Sequence, residues 1–440
     1  MMGRTWSWAL VAALSGFLFG FDTAVISGAE QAVQRTWQMS DALHGLAISA
    51  ALWGTVVGAL GGGWPTDRWG RKRTLFWIGV LYAVSALGSA LAWDPASFMA
   101  FRFIGGLGVG ASSIAAPAYI AEIAPREQRG RLVALFQTMI VTGILVAFGS
   151  NYLLGGVGQD AWRWMLGAEA LPALAYLGAT LSIPESPRWL VVHEQREEEA
   201  RRILAVINPD TVDVTLCAIE AEAAQDARSM SWGRFFAGDL RRPIMLAMLI
   251  AFFNQLSGIN AIIYFAPRIF ELSGAGTSVA LLATVGIGAI NLVFTLIGLL
   301  LIDRAGRKAL MYVGSIGYIV SLGMTAWGFA SGQFALVLPF ILAFIAAHAI
   351  GQGAVIWVYI SEIFPSAARA KGQSLGSGTH WVCAAALTMV MPVLLARLAP
   401  VAVFAFFAGM MVLQLIWVRF AMVETRGRSL EDVAAGMVRA

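Results

Sequence analysis

Phe252-Phe253-Asn254-Gln255-Leu256-Ser257-Gly258-Ile259-Asn260-Ala261-Ile262-Ile263-Tyr264 lies inside an otherwise apolar run from Pro243 to Glu271, with Arg241 and Arg242 just before it. Asn254 follows Arg242 by 12 residues. At ~1.5 Å per helical residue that is roughly 18 Å, near the middle of a ~30 Å hydrocarbon core. Three carboxamides, a serine and a tyrosine at that depth must face protein, water or ligand. On a regular helix Gln255 and Asn260 point about 140° apart. Either the helix loosens near Gly258, or its two polar faces have different tasks. Neutral amides and a phenol both donate and accept, which suits a polyhydroxyl solute better than an ion. A polar patch that only holds helices together is the rival reading.

The rest of the 440-residue chain fits a bilayer: 58% of it is hydrophobic and 13% charged. Soluble proteins carry about 25% charged residues. The fold class is all-α and polytopic. Spanning runs lie near 7–29, 43–65, 74–93, 97–121, 131–153, 162–183, 243–271, 278–301, 309–329, 334–360, 372–396 and 400–420, twelve in all. The first run is followed by no small-residue cleavage site and reads as a helix rather than a leader. The polar segment after the sixth run contains two amphipathic pieces, near Glu194–Val206 and Val214–Arg228.

Of the 30 Lys and Arg residues, Arg35, Arg163, Arg268 and Arg397 fall outside and Arg102 within a helix, leaving 25 on the cytoplasmic side. Both termini are therefore expected in the cytoplasm. The excess of Arg over Lys points to a GC-rich bacterial genome, hence to the bacterial inner or plasma membrane. Cys217 and Cys383 are too few for a disulfide framework or metal site. No Walker sequence, nucleophile–base pair or metal cluster is visible. An enzyme, a cofactor, a metal and a nucleic-acid partner are not expected, and no obligate protein partner is evident. Gly106-x-x-x-Gly110 lies within a span and reads as helix packing. His44, His193 and His348 read as structural.

The chain repeats itself. Asp67-Arg68-Trp69-Gly70-Arg71-Lys72 recurs as Asp303-Arg304-Ala305-Gly306-Arg307-Lys308, an offset of 236. Glu122-Ile123-Ala124-Pro125 recurs as Glu362-Ile363-Phe364-Pro365, an offset of 240, with Arg129 and Arg369 in matching places. Two six-helix parallel repeats result, residues 1–183 and 243–422, joined by a linker over 184–242 and followed by a tail over 423–440. The repeated charges, Asp67, Arg71, Glu122 and Arg129 with Asp303, Arg307, Glu362 and Arg369, can form ion-pair clusters at the inner helix ends and act as a cytoplasmic gate. Glu185 and Arg188 of Pro184-Glu185-Ser186-Pro187-Arg188-Trp189-Leu190 are expected to join them.

These motifs, together with Phe19-Gly20-Phe21-Asp22-Thr23-Ala24-Val25-Ile26-Ser27-Gly28 and Ser361-Glu362-Ile363-Phe364-Pro365, make the chain resemble the sugar porter family of the major facilitator superfamily over nearly its whole length. The resemblance implies a solute site of Gln137, Asn254, Gln255, Asn260, Tyr264, Asn291, Trp357 and Trp381, with Phe19 as an aromatic wall. Amides bond hydroxyls while aromatic faces pack on a pyranose ring. Several positions depart from the family pattern. Asn254 stands where glutamine is usual, His380 where many relatives have an amide, and Ala354 and Val423 where proline is common. Ile144, seven residues after Gln137, matches the apolar choice of glucose-type carriers where xylose–proton symporters carry glutamine.

Asp22, Arg102 and Glu169 are ionisable residues inside the first, fourth and sixth runs, each roughly 8–10 Å from the outer end. Proton symporters of the family resemble this chain at Asp22 and Arg102. The expectation is symport of a glucose-like monosaccharide with a proton across the lipid bilayer. A facilitative uniporter and a non-transporting sugar sensor are the alternatives.

Overall fold

The computed structural model describes residues 2–125, 127–226, 230–238, 240–428 and 432–433. Among them every regular element is helical. Eleven helices are long and apolar enough to cross a membrane. We number the spans in chain order: 1, Met2–Thr36; 2, Asp41–Gly61; 3, Arg71–Ala90; 4, Pro95–Ile123; 5, Arg129–Leu154; 7, Arg241–Leu272; 8, Thr277–Ala305; 9, Arg307–Ser331; 10, Phe334–Glu362; 11, Arg369–Arg397; and 12, Pro400–Phe420. Span 6 is present in two short pieces, Ala161–Ala168 and Ala170–Thr180. Pro172 has no N–H to offer the carbonyl of Ala168, which opens the helix at Glu169.

Contacts gather the chain into two compact units. The first contains residues 1–23, 50–147 and 163–229; the second contains 24–49, 148–162 and 230–440. The C-terminal ends of spans 1 and 5 and the N-terminal end of span 2 thus group with spans 7–12.

In the first unit, glycines let helices touch backbone to backbone. A Cβ on Gly106 would lie 1.9 Å from the Ala51 carbonyl oxygen, and one on Gly54 would lie 2.2 Å from that of Phe103. Gly106 and Gly110 therefore serve the packing of span 4 on span 2. The linker forms Pro187–Val192, Glu197–Ile207 and Val212–Asp226. Trp189 and Leu190 pack there with Ala200, Ile203, Leu204, Leu216 and Ile219. Linker residues 227–229 and 239, and most of the tail beyond 428, lie outside the described residues.

In the second unit, spans 7 and 10 are broken. Span 7 divides into Arg241–Leu256 and Ile259–Leu272 at Gly258, whose φ is +86°. Gly258 starts the second piece, its carbonyl accepting from Ile262 N–H at 2.9 Å. Span 10 divides at Gly351, with φ −83° and ψ −104°, where it abuts Gly314 of span 9. Beside that break Gln352 donates to Gln414, and Gln414 donates to Ser315 Oγ at 2.8 Å.

Only glycine adopts the Gly258 conformation without strain, and a Cβ there would also meet the Phe407 ring at 2.7 Å. Gly258→Ala is expected to cost about 1–2 kcal/mol from the left-handed backbone alone. Thermal unfolding in detergent measures it. Phe407 is itself buried, so adding Phe407→Ala is expected to lower stability further, but by less than the sum of the two single losses because the ring contact is relieved.

Candidate functional site

The break at Gly258 decides where the amides of span 7 point. Gln255 closes the first piece and Asn260 opens the second, and Asn260 Nδ2 donates to Gln255 Oε1 at 2.7 Å. Of the two sequence expectations for this stretch, the loosened helix is the one observed. Gln255 Nε2 donates to Asn254 Oδ1 at 2.9 Å and lies 3.1 Å from His380 Nε2. An amide nitrogen has only hydrogens to give, so the imidazole nitrogen is the acceptor. His380 is flanked by Trp357, with ring centroids 5.0 Å apart, and by Trp381, edge-on at 4.8 Å.

Asn254, Gln255, Asn260, His380 and Trp381 are buried, whereas Trp357 keeps 37% of its surface exposed. The cluster thus presents an indole beside a satisfied amide network. Asn254, shorter than the usual glutamine, braces Gln255 from the neighbouring position. Tyr264 is buried in the second piece of span 7. Asn291 of span 8 is buried and accepts from Thr295 at 3.4 Å.

The remaining solute-site candidates belong to the first unit. Phe19 and Ile144 are buried and Gln137 is partly buried. Spans 1 and 5 meet closely there, since a Cβ on Gly20 would fall 1.9 Å from the Ile140 carbonyl oxygen and 3.0 Å from Ile144 N.

The three ionisable residues of spans 1, 4 and 6 come together in the same unit. Arg102 Nη1 donates to Asp22 Oδ1 at 2.5 Å, and Nη2 donates to the Asp22 carbonyl at 3.1 Å. Glu169 sets its carboxyl against that of Asp22. Its Oε1 is buried without a hydrogen-bond partner among the described residues. One guanidinium and two carboxyls, all buried, share one layer.

At the helix ends that carry the repeated motifs, the charges form two self-contained clusters built alike. In the first unit Arg71 grips Glu122 with Nε and Nη2, both at 3.0 Å, and reaches Asp67 at 3.2 Å. In the second, Arg307 grips Glu362 at 3.1 and 2.8 Å and reaches Asp303 at 3.2 Å. Glu185 accepts from the backbone N–H groups of Arg71 and Lys72, capping span 3. Ser186 Oγ donates to Glu122 at 2.5 Å.

Sequence reading missed the counterparts of these two. Glu424 accepts from Arg307 N–H at 3.0 Å and Lys308 N–H at 2.9 Å, and Thr425 Oγ1 donates to Glu362 at 2.6 Å. The signal was an offset of 239 between Glu185 and Glu424, beside the offsets of the two repeats already found.

Arg369 donates to the Ser361 carbonyl at 3.0 Å rather than gripping a carboxylate. Arg129 is exposed and, with Arg188 and Glu122, lines a cavity of about 640 Å³ under the linker helices. Arg71 and Arg307 hold the bidentate positions because each starts a helix four residues after its aspartate.

Burial pushes the Glu185 carboxyl above the usual carboxylate range, against the pull of the Ser186, Lys72 and Arg71 donors. At Glu424 burial acts in the same sense, but the Arg426, Lys308, Arg307 and Thr425 N–H groups outweigh it and hold the carboxyl below that range. A lowered value means that ionised Glu424 stabilises the fold at neutral pH, a contribution lost as pH falls through that value. A raised value means that ionised Glu185 opposes folding. Glu424→Gln is therefore expected to lower stability at pH 7 by on the order of 1 kcal/mol, and Glu185→Gln by less. Thermal unfolding of the two variants side by side checks the order.

Comparison with known proteins points one way. The family described as "Sugar (and other) transporter" matches residues 8–436. The glucose transport protein of Synechocystis sp. is 36% identical over 453 residues, covering 96% of this chain and 95% of that one. The D-xylose-proton symporter of Escherichia coli is 34% identical over 472 residues, covering 97% and 94%. The solved structure of the xylose transporter XylE from E. coli, in a partially occluded inward-open conformation, superposes with a TM-score of 0.87 at 30% identity, covering 97% of this chain and 99% of that one. With its duplicated charge clusters and its amide-lined break in span 7, this integral membrane chain belongs to the sugar transporter family.

Proposed function

We propose that the protein moves a glucose-like monosaccharide inward together with a proton, by alternating access, in a bacterial inner or plasma membrane with both termini cytoplasmic. The observation that carries the proton coupling is the buried Asp22–Arg102 pair with Glu169 against it. A static pair between spans 1 and 4 needs one carboxylate for one guanidinium; here a second carboxyl stands beside them. When Arg102 withdraws, an unpaired charge in this layer is costly, and Asp22 takes up a proton. When Arg102 returns, Asp22 gives the proton up. Glu169 modulates the exchange through its contact with Asp22. The E. coli relative is named as a proton symporter, in keeping with this assignment.

The sugar reading rests on Gln255, Asn260, His380 and Trp357, where Gln255 Oε1 keeps a second lone pair for a hydroxyl and the indole offers a face for a ring. Gln137, Ile144, Phe19, Tyr264, Asn291 and Trp381 complete the proposed lining. The apolar Ile144 and the glucose transport protein among the relatives favour a hexose. The alternative is a facilitative uniporter with the same site and no proton.

Gln255→Ala removes the residue on which Asn254, Asn260 and His380 converge. The expected loss of glucose affinity is about two- to thirteen-fold, for a net hydrogen bond of roughly 0.5–1.5 kcal/mol. Titration calorimetry with glucose measures it, and unchanged affinity would remove Gln255 from the site.

Asp22→Asn is expected to abolish accumulation driven by a pH gradient while sparing sugar binding and counterflow exchange. Both are read in the same proteoliposomes. Uphill uptake by Asp22→Asn would sink the coupling assignment, and loss of exchange as well would point to a structural role.

A further inference from the structure

Glu30 of span 1 and His44 of span 2 are fully buried, on the side that the charge count assigns to the outside. His44 has no partner at a useful sequence spacing, yet its Nε2 lies 3.0 Å from the Glu30 carbonyl oxygen and 3.2 Å from Glu30 Oε2. Arg268, in the second piece of span 7, completes the group. Its Nε donates to Glu30 Oε1 at 3.0 Å and its Nη2 lies 3.0 Å from Oε2. The same Nη2 donates to Gln34 Oε1 at 2.6 Å, and Gln34 Nε2 donates to Asp41 Oδ1 at 3.1 Å. One turn along, Gln31 Nε2 donates to Glu271 at 2.8 Å. These are the outer ends of spans 1 and 2 fastened to span 7, and the second unit contains all of them.

We infer that Glu30, Arg268 and His44 form an outer latch, whose release is required for the site to open to the outside. The chain has inner charge clusters within each repeat, but this cluster joins residues of one sequence repeat to a residue of the other. Alternating access needs such a join to break. Glu30 is the natural keystone, since both of its carboxylate oxygens face Arg268 and its carbonyl faces His44. Separation would leave Glu30 unpaired until water reaches it, so the closed arrangement persists until opening is complete. A small backbone step supports the fit: a Cβ on Gly45, next to His44, would stand 1.9 Å from the Met389 carbonyl oxygen of span 11. His44 acts here as a positioning residue, its Nε2 against the Glu30 carbonyl and Oε2.

The test reads accessibility, with no sugar and no proton gradient, so it stands apart from the accumulation assay that tests symport. In a background with Cys217→Ser and Cys383→Ser, Ala47→Cys on span 2 places a thiol at a buried position one turn from His44. A membrane-impermeant maleimide is added from outside. Glu30→Gln and Arg268→Gln should each raise the labelling rate about fivefold or more, the low end for coupling between two states. The double variant should label no faster than either single one, because both break the same contact. Wild-type labelling in both single variants would overturn the latch, as would effects that multiply independently.

General loosening is distinguished by Ala86→Cys, a buried position near the outer end of span 3 in the first unit. Increased labelling there as well would count against a latch. Should Arg268→Gln fail to fold, Arg268→Lys keeps the charge with a single donor centre and should label at an intermediate rate. A wild-type rate for it would overturn the proposal equally.

Discussion

Hydrocarbon satisfies no donor, acceptor or charge, and this constraint orders the whole molecule. Many buried polar groups within the spans have been brought to another protein group. Asp22 has Arg102, Gln255 has Asn260 and His380, Gln352 has Gln414, and Gln414 has Ser315. Most of these pairs lie far apart in the chain, so they fix the packing of helices that apolar surface alone would leave free to slide. Close contact through Gly54, Gly106 and Gly20 does the complementary task, letting backbones approach where no side chain intervenes. Glu169 Oε1 is one of the buried polar atoms left without a hydrogen bond among the described residues, and it stands beside Asp22.

The helix ends that carry the repeated charges follow a different rule, because water is close and charge is tolerated there. Each repeat uses a two-pronged arginine on a glutamate, with a second glutamate under the start of a helix whose preceding glycine has φ near +90°, Gly70 at +92° and Gly306 at +91°. A side chain at either glycine would collide with that second carboxylate, as a Cβ on Gly70 would come within 2.3 Å of Glu185 Oε2. Loop glycine and capping glutamate are thus parts of one device, used twice.

Much of this was legible in the sequence because it is local or repeated. Hydropathy marked the spans, the offsets of 236 and 240 exposed the duplication, and the depth of Asp22, Arg102 and Glu169 placed them in a common layer. What escaped is non-local or depends on a single backbone group. Span 6 opens at Glu169 because one proline withholds one N–H. Glu424 lacks the Pro-Glu-Ser-Pro surroundings that made Glu185 conspicuous. Glu30, His44 and Arg268 meet although 14 and 238 residues separate Glu30 from the other two, and no spacing rule connects residues so placed. Arg129 and Arg369 matched by position, yet the geometry gave the gripping role to Arg71 and Arg307, each four residues after an aspartate.

The interruption of span 7 has a mechanical consequence. Gln255 and Asn260 belong to different helical segments, and the bond between them crosses the joint at Gly258. Any swing of the outer segment must alter the spacing of the two amides, and any molecule that bridges both must resist or favour that swing. In the proposed site, recognition and movement would share this joint. A ligand held by Gln255 alone would be bound without consequence, whereas one that also engages Asn260 would set the angle of the hinge.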